Sequence, residues 1–295
     1  MKINIHARAI VALALTSGLG FVGCGRSDST PTGGRKAGVP ADSMAPVSSG
    51  IRDYSIRAAD YAFSNLPLHA AAGWLTFRLS NSGSETHMLS IASVPEGYTT
   101  AALEDSIVNL HLPKDARFWA GVDVVSPGDT GVVSVFLPAG DYIAMCFVQS
   151  ADGTRHIQRG MVGAFDVVAV RDTGVTFFVD GVVTLSRKRI RLSGPTLKAG
   201  IRTLRVASSN AAPQDFQILK LRPGRSARDA LKWFANRNTM APAAEAVGGV
   251  SSIFAGQRAT VTVNFTPGDY LLFFQLDGTD RHPAFAQLPL TIRDR

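Results

Sequence analysis

An internal repeat constrains this chain more than any other feature. Gly121-Val122, Pro127-Gly128-Asp129 and Leu137-Pro138-Ala139-Gly140-Asp141-Tyr142 recur 128 residues later as Gly249-Val250, Ala255-Gly256-Gln257 and Phe265-Thr266-Pro267-Gly268-Asp269-Tyr270. Further upstream the offset is 127, where Ala72-Gly73 with Phe77 and Leu79 matches Ala199-Gly200 with Leu204 and Val206, and Glu96-Gly97 matches Pro223-Gly224. The simplest account is two copies of one domain. Residues 74–79 (WLTFRL), 131–137 (GVVSVFL) and 259–265 (ATVTVNF) alternate or run with β-branched and aromatic residues between Gly, Pro, Asn and Asp turns. That spacing predicts a β-sandwich in each copy. One helical insertion is expected per copy, over roughly 100–110 in the first and 226–234 in the second, where Ser226 and Asp229 have the spacing of a capping box.

The N-terminus reads differently. Lys2, His6 and Arg8 precede an uncharged apolar run, Ala9 to Val22, which is too short for a membrane span and has the form of an export signal. Its end, Phe21-Val22-Gly23-Cys24, resembles a bacterial lipobox, which implies lipidation of Cys24 and a membrane anchor at the cell envelope. Residues 25–50 are Gly, Ser, Pro, Ala and charges with nothing to bury, as expected of a disordered tether. The expected organisation is therefore a signal at 1–24, a tether at 25–50, and domains at 51–170 and 171–295.

Charge divides between the two copies. Residues 51–170 hold 7 basic and 12 acidic side chains, and 171–295 hold 18 and 9. Opposite net signs favour mutual docking, or a basic half facing anionic lipid or an acidic partner. The basic residues lack the interleaved aromatics of a nucleic-acid surface, so no nucleic-acid partner is expected.

The chemistry-bearing residues lie in the first copy. Cys146, His156 and Met161, with His87 upstream, supply one thiolate, two imidazoles and a thioether, the donor set that tunes Cu(II)/Cu(I) for electron transfer. With Cys24 lipidated, Cys146 has no disulfide partner in an oxidising compartment. Singly, each residue has a plainer role: His87 capping a turn, Met161 filling core, His156 on a solvated loop. Jointly they are far more specific.

The first copy resembles the cupredoxin (plastocyanin-like) family. The resemblance rests on an Asn-Ser-Gly turn (Asn81 to Gly83) before His87, an apolar strand at 88–91, and a Pro-Ala-Gly-Asp-Tyr turn opening a strand that ends at Cys146. His156 and Met161 follow with four residues between them. It implies an all-β fold of two tandem cupredoxin-like Greek-key sandwiches and one type 1 copper site, with His87, Cys146 and His156 in plane and Met161 axial. It also implies a single-electron carrier in which His156 sits nearest the surface, with Arg155 and Arg159 making that rim basic and suited to an acidic redox partner. The alternative is a metal-free cupredoxin-like lipoprotein acting as a binding or structural module.

In the second copy the aligned positions are Gln214, Phe274, His282 and Gln287, so only one ligand type survives and that half is expected to hold no metal. Two-domain enzymes of this family pass electrons through a His-Cys dipeptide to a second copper held by further histidines. Here Met145 precedes Cys146, and His69, His111 and His282 are scattered. No Gly-x-Ser-x-Gly or His-Glu-x-x-His motif is present. The expectation is a protein that is not an enzyme.

Overall fold

The computed structural model describes residues 51–111, 113, 115–170, 176–236, 240–276 and 284–294. The signal, the tether, Cys24 and His282 lie outside the described residues. In the first half, β1 (Arg52–Ala59), β2 (Ala62–Ser64), β3 (His69–Ala71), β4 (Gly73–Asn81) and β5 (His87–Ser93) lead to α1 (Thr100–Val108). Then come β6 (Arg117–Val125), β7 (Thr130–Leu137), β8 (Gly140–Met145) and β9 (Val162–Val168). The second half repeats the series as β10 (Gly181–Ser186), β11 (Arg189–Ser193), β12 (Gly200–Ser208), β13 (Gln214–Leu221), α2 (Ala227–Ala235), β14 (Ala244–Ile253), β15 (Ala259–Phe265), β16 (Gly268–Gln275) and β17 (Phe285–Ile292).

Each half contributes to two packed sheets, and both sheets run without a break through both halves. One has the order β11-β10-β12-β15-β7-β4-β1-β2 and the other β17-β16-β13-β14-β6-β5-β8-β9-β3. The joints are the antiparallel pairs β15–β7 and β14–β6. At these joints Val133 pairs with Val261 and Val122 with Val250, each residue meeting its own counterpart at an offset of 128. Such self-pairing requires a local two-fold axis between the copies.

The repeat's markers have physical causes. A methyl group on Gly121 would lie 2.1 Å from the Leu89 carbonyl oxygen, and one on Gly249 would lie 2.0 Å from that of Phe216. At both places the partner strand shifts register, and only a residue without Cβ admits the close approach. Tyr142 donates its hydroxyl proton to the Pro138 carbonyl at 2.8 Å, and Tyr270 does the same to Thr266 at 3.0 Å, pinning the Gly-Asp-Tyr corner of each copy. Inside the sandwich, Thr76–Ser134 and Thr203–Thr262 form equivalent hydroxyl pairs between the same two strands of each copy.

The helices cover the outer face of the second sheet. Thr99 caps α1 by accepting from the Ala102 N–H, and Leu103 and Ile107 pack on Ala92, Ile143, Met145 and Ile157. Strand β8 is therefore buried on both faces from Tyr142 to Met145. In the second half Ser226 and Asp229 form the expected capping box, and Phe234 meets Phe273, the counterpart of Met145, at 4.9 Å.

Candidate metal centre

Local hydrogen bonding dictates where each ligand-type side chain points. Asn81, at the end of β4, accepts from the Gly83 N–H at 2.9 Å and donates to the carbonyls of Glu85 at 2.8 Å and Val125 at 2.9 Å. This fixes the 82–86 turn and delivers His87 as the first residue of β5, opposite Val125. Cys146 follows β8 directly, and its N–H donates to the Met161 carbonyl at 3.2 Å, extending the β8–β9 ladder by one pair. Between them the chain forms a short hairpin bridged at Gln149 and Arg155, turning through Asp152-Gly153 with Gly153 at φ 87°. It then enters a 3₁₀ turn, His156–Arg159. The His156 N–H donates to Val148 at 2.8 Å, Ile157 to Cys146 at 3.0 Å, and Met161 to His156 at 3.0 Å. Ile157 is in turn clamped under α1.

The outcome is a cluster at one end of the first half. His87, Cys146 and His156 are fully buried, with donor atoms all within 4.8 Å of one another. His87 Nδ1 and His156 Nδ1 are 3.0 Å apart, and Cys146 Sγ lies 3.5 Å from His156 Nδ1. Met161 is fully buried in the same apolar cluster as Cys146. The structure thus brings His87, Cys146 and His156 together, and the Met161 backbone is hydrogen-bonded to Cys146 and His156 beside them. Among the described residues this is the single group of three or more His, Cys, Asp or Glu side chains so arranged. His69 is exposed and meets Asp166 on the β3–β9 edge.

Two imidazole nitrogens facing each other at 3.0 Å repel unless a proton or a cation lies between them. A thiol sulfur beside them gives a soft-to-borderline donor set that suits copper. Burial, then the neighbouring His156, hold the His87 imidazole pKa down to about 4, with Asp60 and Glu85 opposing them. The ring is consequently neutral and able to donate a lone pair.

Two features of the rim differ from the sequence reading. His156 is not at the surface: it is fully buried beneath Tyr61, whose ring meets it edge-on at 5.2 Å, and its Nε2 is 2.6 Å from Glu85 Oε2. Nor is the rim simply basic. Arg155 donates to the Phe147 carbonyl at 3.1 Å, while Arg159 pairs with Asp152 and lies 4.7 Å over the Tyr61 ring. Asp60, Glu85 and Asp152 share the rim with them. Sequence reasoning missed Asp60, Tyr61, Glu85 and Ser150. The repeat held a usable signal: Asp60 and Glu85 align with Arg187 and Ala212 in the copy that has Gln214 and Phe274 for His87 and Cys146.

At the corresponding end of the second half, Gln214 donates to neighbouring backbone carbonyls, Phe274 is core, and Gln287 is exposed on β17. Because β6 and β14 are antiparallel, this end lies toward Trp119 whereas His87 lies by Val125, about 20 Å along the strand at 3.3 Å per residue.

The described residues form two packed β-sheets that run through both halves. No protein-family model matches the chain, and no curated protein matches it in sequence. Among solved structures, the chain is similar to a dithionite-reduced auracyanin from the photosynthetic bacterium Roseiflexus castenholzii, with 19% identity over 40% of this chain and 99% of that one, TM-score 0.30. It is also similar to a multicopper oxidase, with 16% identity over 85% and 92% of the two chains, TM-score 0.27. A copper-containing nitrite reductase from Thermus scotoductus matches at 14% identity over 83% of this chain and 62% of that one, TM-score 0.26. The expectation that the chain is not an enzyme is corrected on this point: a multicopper oxidase and a copper-containing nitrite reductase stand among the structures it is similar to.

Proposed function

We propose that this chain binds one copper ion as a type 1 centre in its first half and passes single electrons to and from a redox partner protein. His87 Nδ1, His156 Nδ1 and the Cys146 thiolate would hold the ion, with the Met161 thioether as the weak fourth contact. The observation that carries this reading is the convergence of three fully buried donors within 4.8 Å of one another. When bound, copper supplies a one-electron couple whose potential the axial ligand and the surroundings of the sulfur adjust.

The chain's own residues do the rest. Backbone hydrogen bonds from Cys146, His156, Ile157 and Met161 orient the donors, and the apolar side chains packed around Cys146 and Met161 exclude water. The basic second half would serve docking, and the lipid on Cys24 with the 25–50 tether would keep the protein at the envelope. No helix among the described residues is long and apolar enough to cross a membrane.

The test is a titration of the reduced, metal-free full chain with Cu(II). One equivalent is expected to produce an intense visible thiolate charge-transfer band that Cys146→Ser abolishes. A colourless protein with an intact Cys146 thiol overturns the proposal. Cys24→Ser is expected to release the chain from membranes.

A further inference from the structure

We infer that Asp60 and Glu85 are positioning residues for the two imidazoles, fixing the tautomer that turns both Nδ1 lone pairs inward and favouring the oxidised over the reduced centre. This rests on the copper reading above.

A neutral imidazole carries one N–H and one lone pair, so a ring that binds through Nδ1 must hold its proton on Nε2. Both remote nitrogens face a carboxylate. His156 Nε2 is 2.6 Å from Glu85 Oε2, and Ser150 Oγ donates to that same oxygen at 2.7 Å, which holds the carboxylate oxygen in place. His87 Nε2 is buried without a hydrogen-bond partner, and Asp60 Oδ1 stands 3.6 Å away. Asp60 is held there by the Ser84 N–H at 2.8 Å and the Ser84 hydroxyl at 3.0 Å.

One assignment of protons accounts for the short contact and the long one. With His156 donating from Nε2 to Glu85, its Nδ1 is a bare acceptor, and the proton between the two Nδ1 atoms belongs to His87. His87 Nε2 is then also a bare acceptor and has nothing to offer Asp60. When a cation takes the place of that shared proton, His87 loses it from Nδ1 and carries its single proton on Nε2, where Asp60 is placed to accept it. Gly83 keeps this approach open: a methyl group there would lie 2.5 Å from Asp60 Oδ1 and 2.6 Å from His87 Nε2.

Charge sets the second consequence. Cu(II) with one thiolate has a net charge of about +1 and Cu(I) about zero, so two carboxylates behind the rings stabilise the oxidised state more and lower the potential. The second half is an internal control. Where His87 and Cys146 are replaced by Gln214 and Phe274, Asp60 and Glu85 are replaced by Arg187 and Ala212, so the carboxylates occur with the ligands and are missing with them.

The experiment compares the full chain with Glu85→Leu, Glu85→Gln, Asp60→Asn and Gly83→Ala. Cu(II) affinity is expected to fall ~10- to 100-fold for Glu85→Leu, with Cu(I) affinity changing less. Each tenfold fall in the Cu(II)/Cu(I) affinity ratio raises the potential by about 59 mV. Glu85→Gln, which keeps an acceptor and removes the charge, is expected to shift the potential upward with a smaller loss of affinity. Asp60→Asn and Gly83→Ala are expected to shift it the same way. In the metal-free chain, imidazole nitrogen NMR is expected to show His156 protonated on Nε2, and Glu85→Leu to lose that preference. Variants that bind copper with an unchanged affinity ratio and leave the His156 nitrogen pattern unaltered overturn the inference. A wild-type chain that takes up no copper overturns the function proposed above, and the nitrogen pattern then decides the role of Glu85 by itself.

Discussion

His87 shows most plainly what single residues contribute here. In the metal-free chain its pKa is held down to about 4, whereas an unfolded histidine titrates near 6.5. Between those values the unfolded chain binds more protons than the folded one. The contribution of His87 is therefore complete above the unfolded pKa and is lost as pH falls toward 4, by on the order of 3 kcal/mol. Denaturant unfolding of the metal-free chain across that window is expected to show this slope, and a flat profile would count against a neutral, buried His87. The same residue marks a limit of sequence reading. Its place was legible from the turn before it and the strand after it, both local. Its carboxylate neighbours were not, since Asp60 comes from another strand's turn and an acidic residue in a turn ordinarily faces water.

Among the elements, α1 and α2 have equivalent places and unequal consequences. Ile107 in α1 packs on the small cluster that contains Met145 and Ile157, the residues adjoining Cys146 and His156. Ile107→Ala is expected to cost about 2–5 kcal/mol and to broaden the visible spectrum of the copper-loaded chain, because the cavity loosens the backing of both ligands. Ser226→Ala removes the cap of α2 and is expected to cost about 1 kcal/mol while leaving that spectrum unchanged. Calorimetry and absorption on the two variants separate these outcomes. Both helices were expected from the sequence, α2 with its Ser226–Asp229 capping box, which is a local signal. That α1 covers the Cys146 strand was not readable, since 143–146 (IAMC) gives no sign of what lies on its outer face.

At the scale of the whole molecule, the two copies share their sheets. The sequence shows the duplication and the turns, but pairing across β6–β14 and β7–β15 leaves no mark in it, because a strand that pairs with its own counterpart carries the same alternation as any other. Several contacts tie the joint together: Gln217 donates to Val124 and Gly248, both at 2.9 Å, and the Ser126 N–H and hydroxyl bond the carbonyl and N–H of Ala246. Residues 51–170 alone would present β6 and β7 as long unpaired edges. That fragment is expected to self-associate on size-exclusion chromatography, and the full chain to unfold in one transition. A monomeric, well-folded fragment would contradict this.

The braced loop from Cys146 to Met161 has a consequence for speed. Its ligand-bearing residues are hydrogen-bonded through their backbones to one another, and Ile157 is wedged under a helix, so the donors have little freedom to follow a change in charge on whatever they hold. Were copper held there as proposed, these residues would offer it nearly the same donors in both oxidation states, little rearrangement would accompany electron transfer, and the rate would be left to distance and driving force.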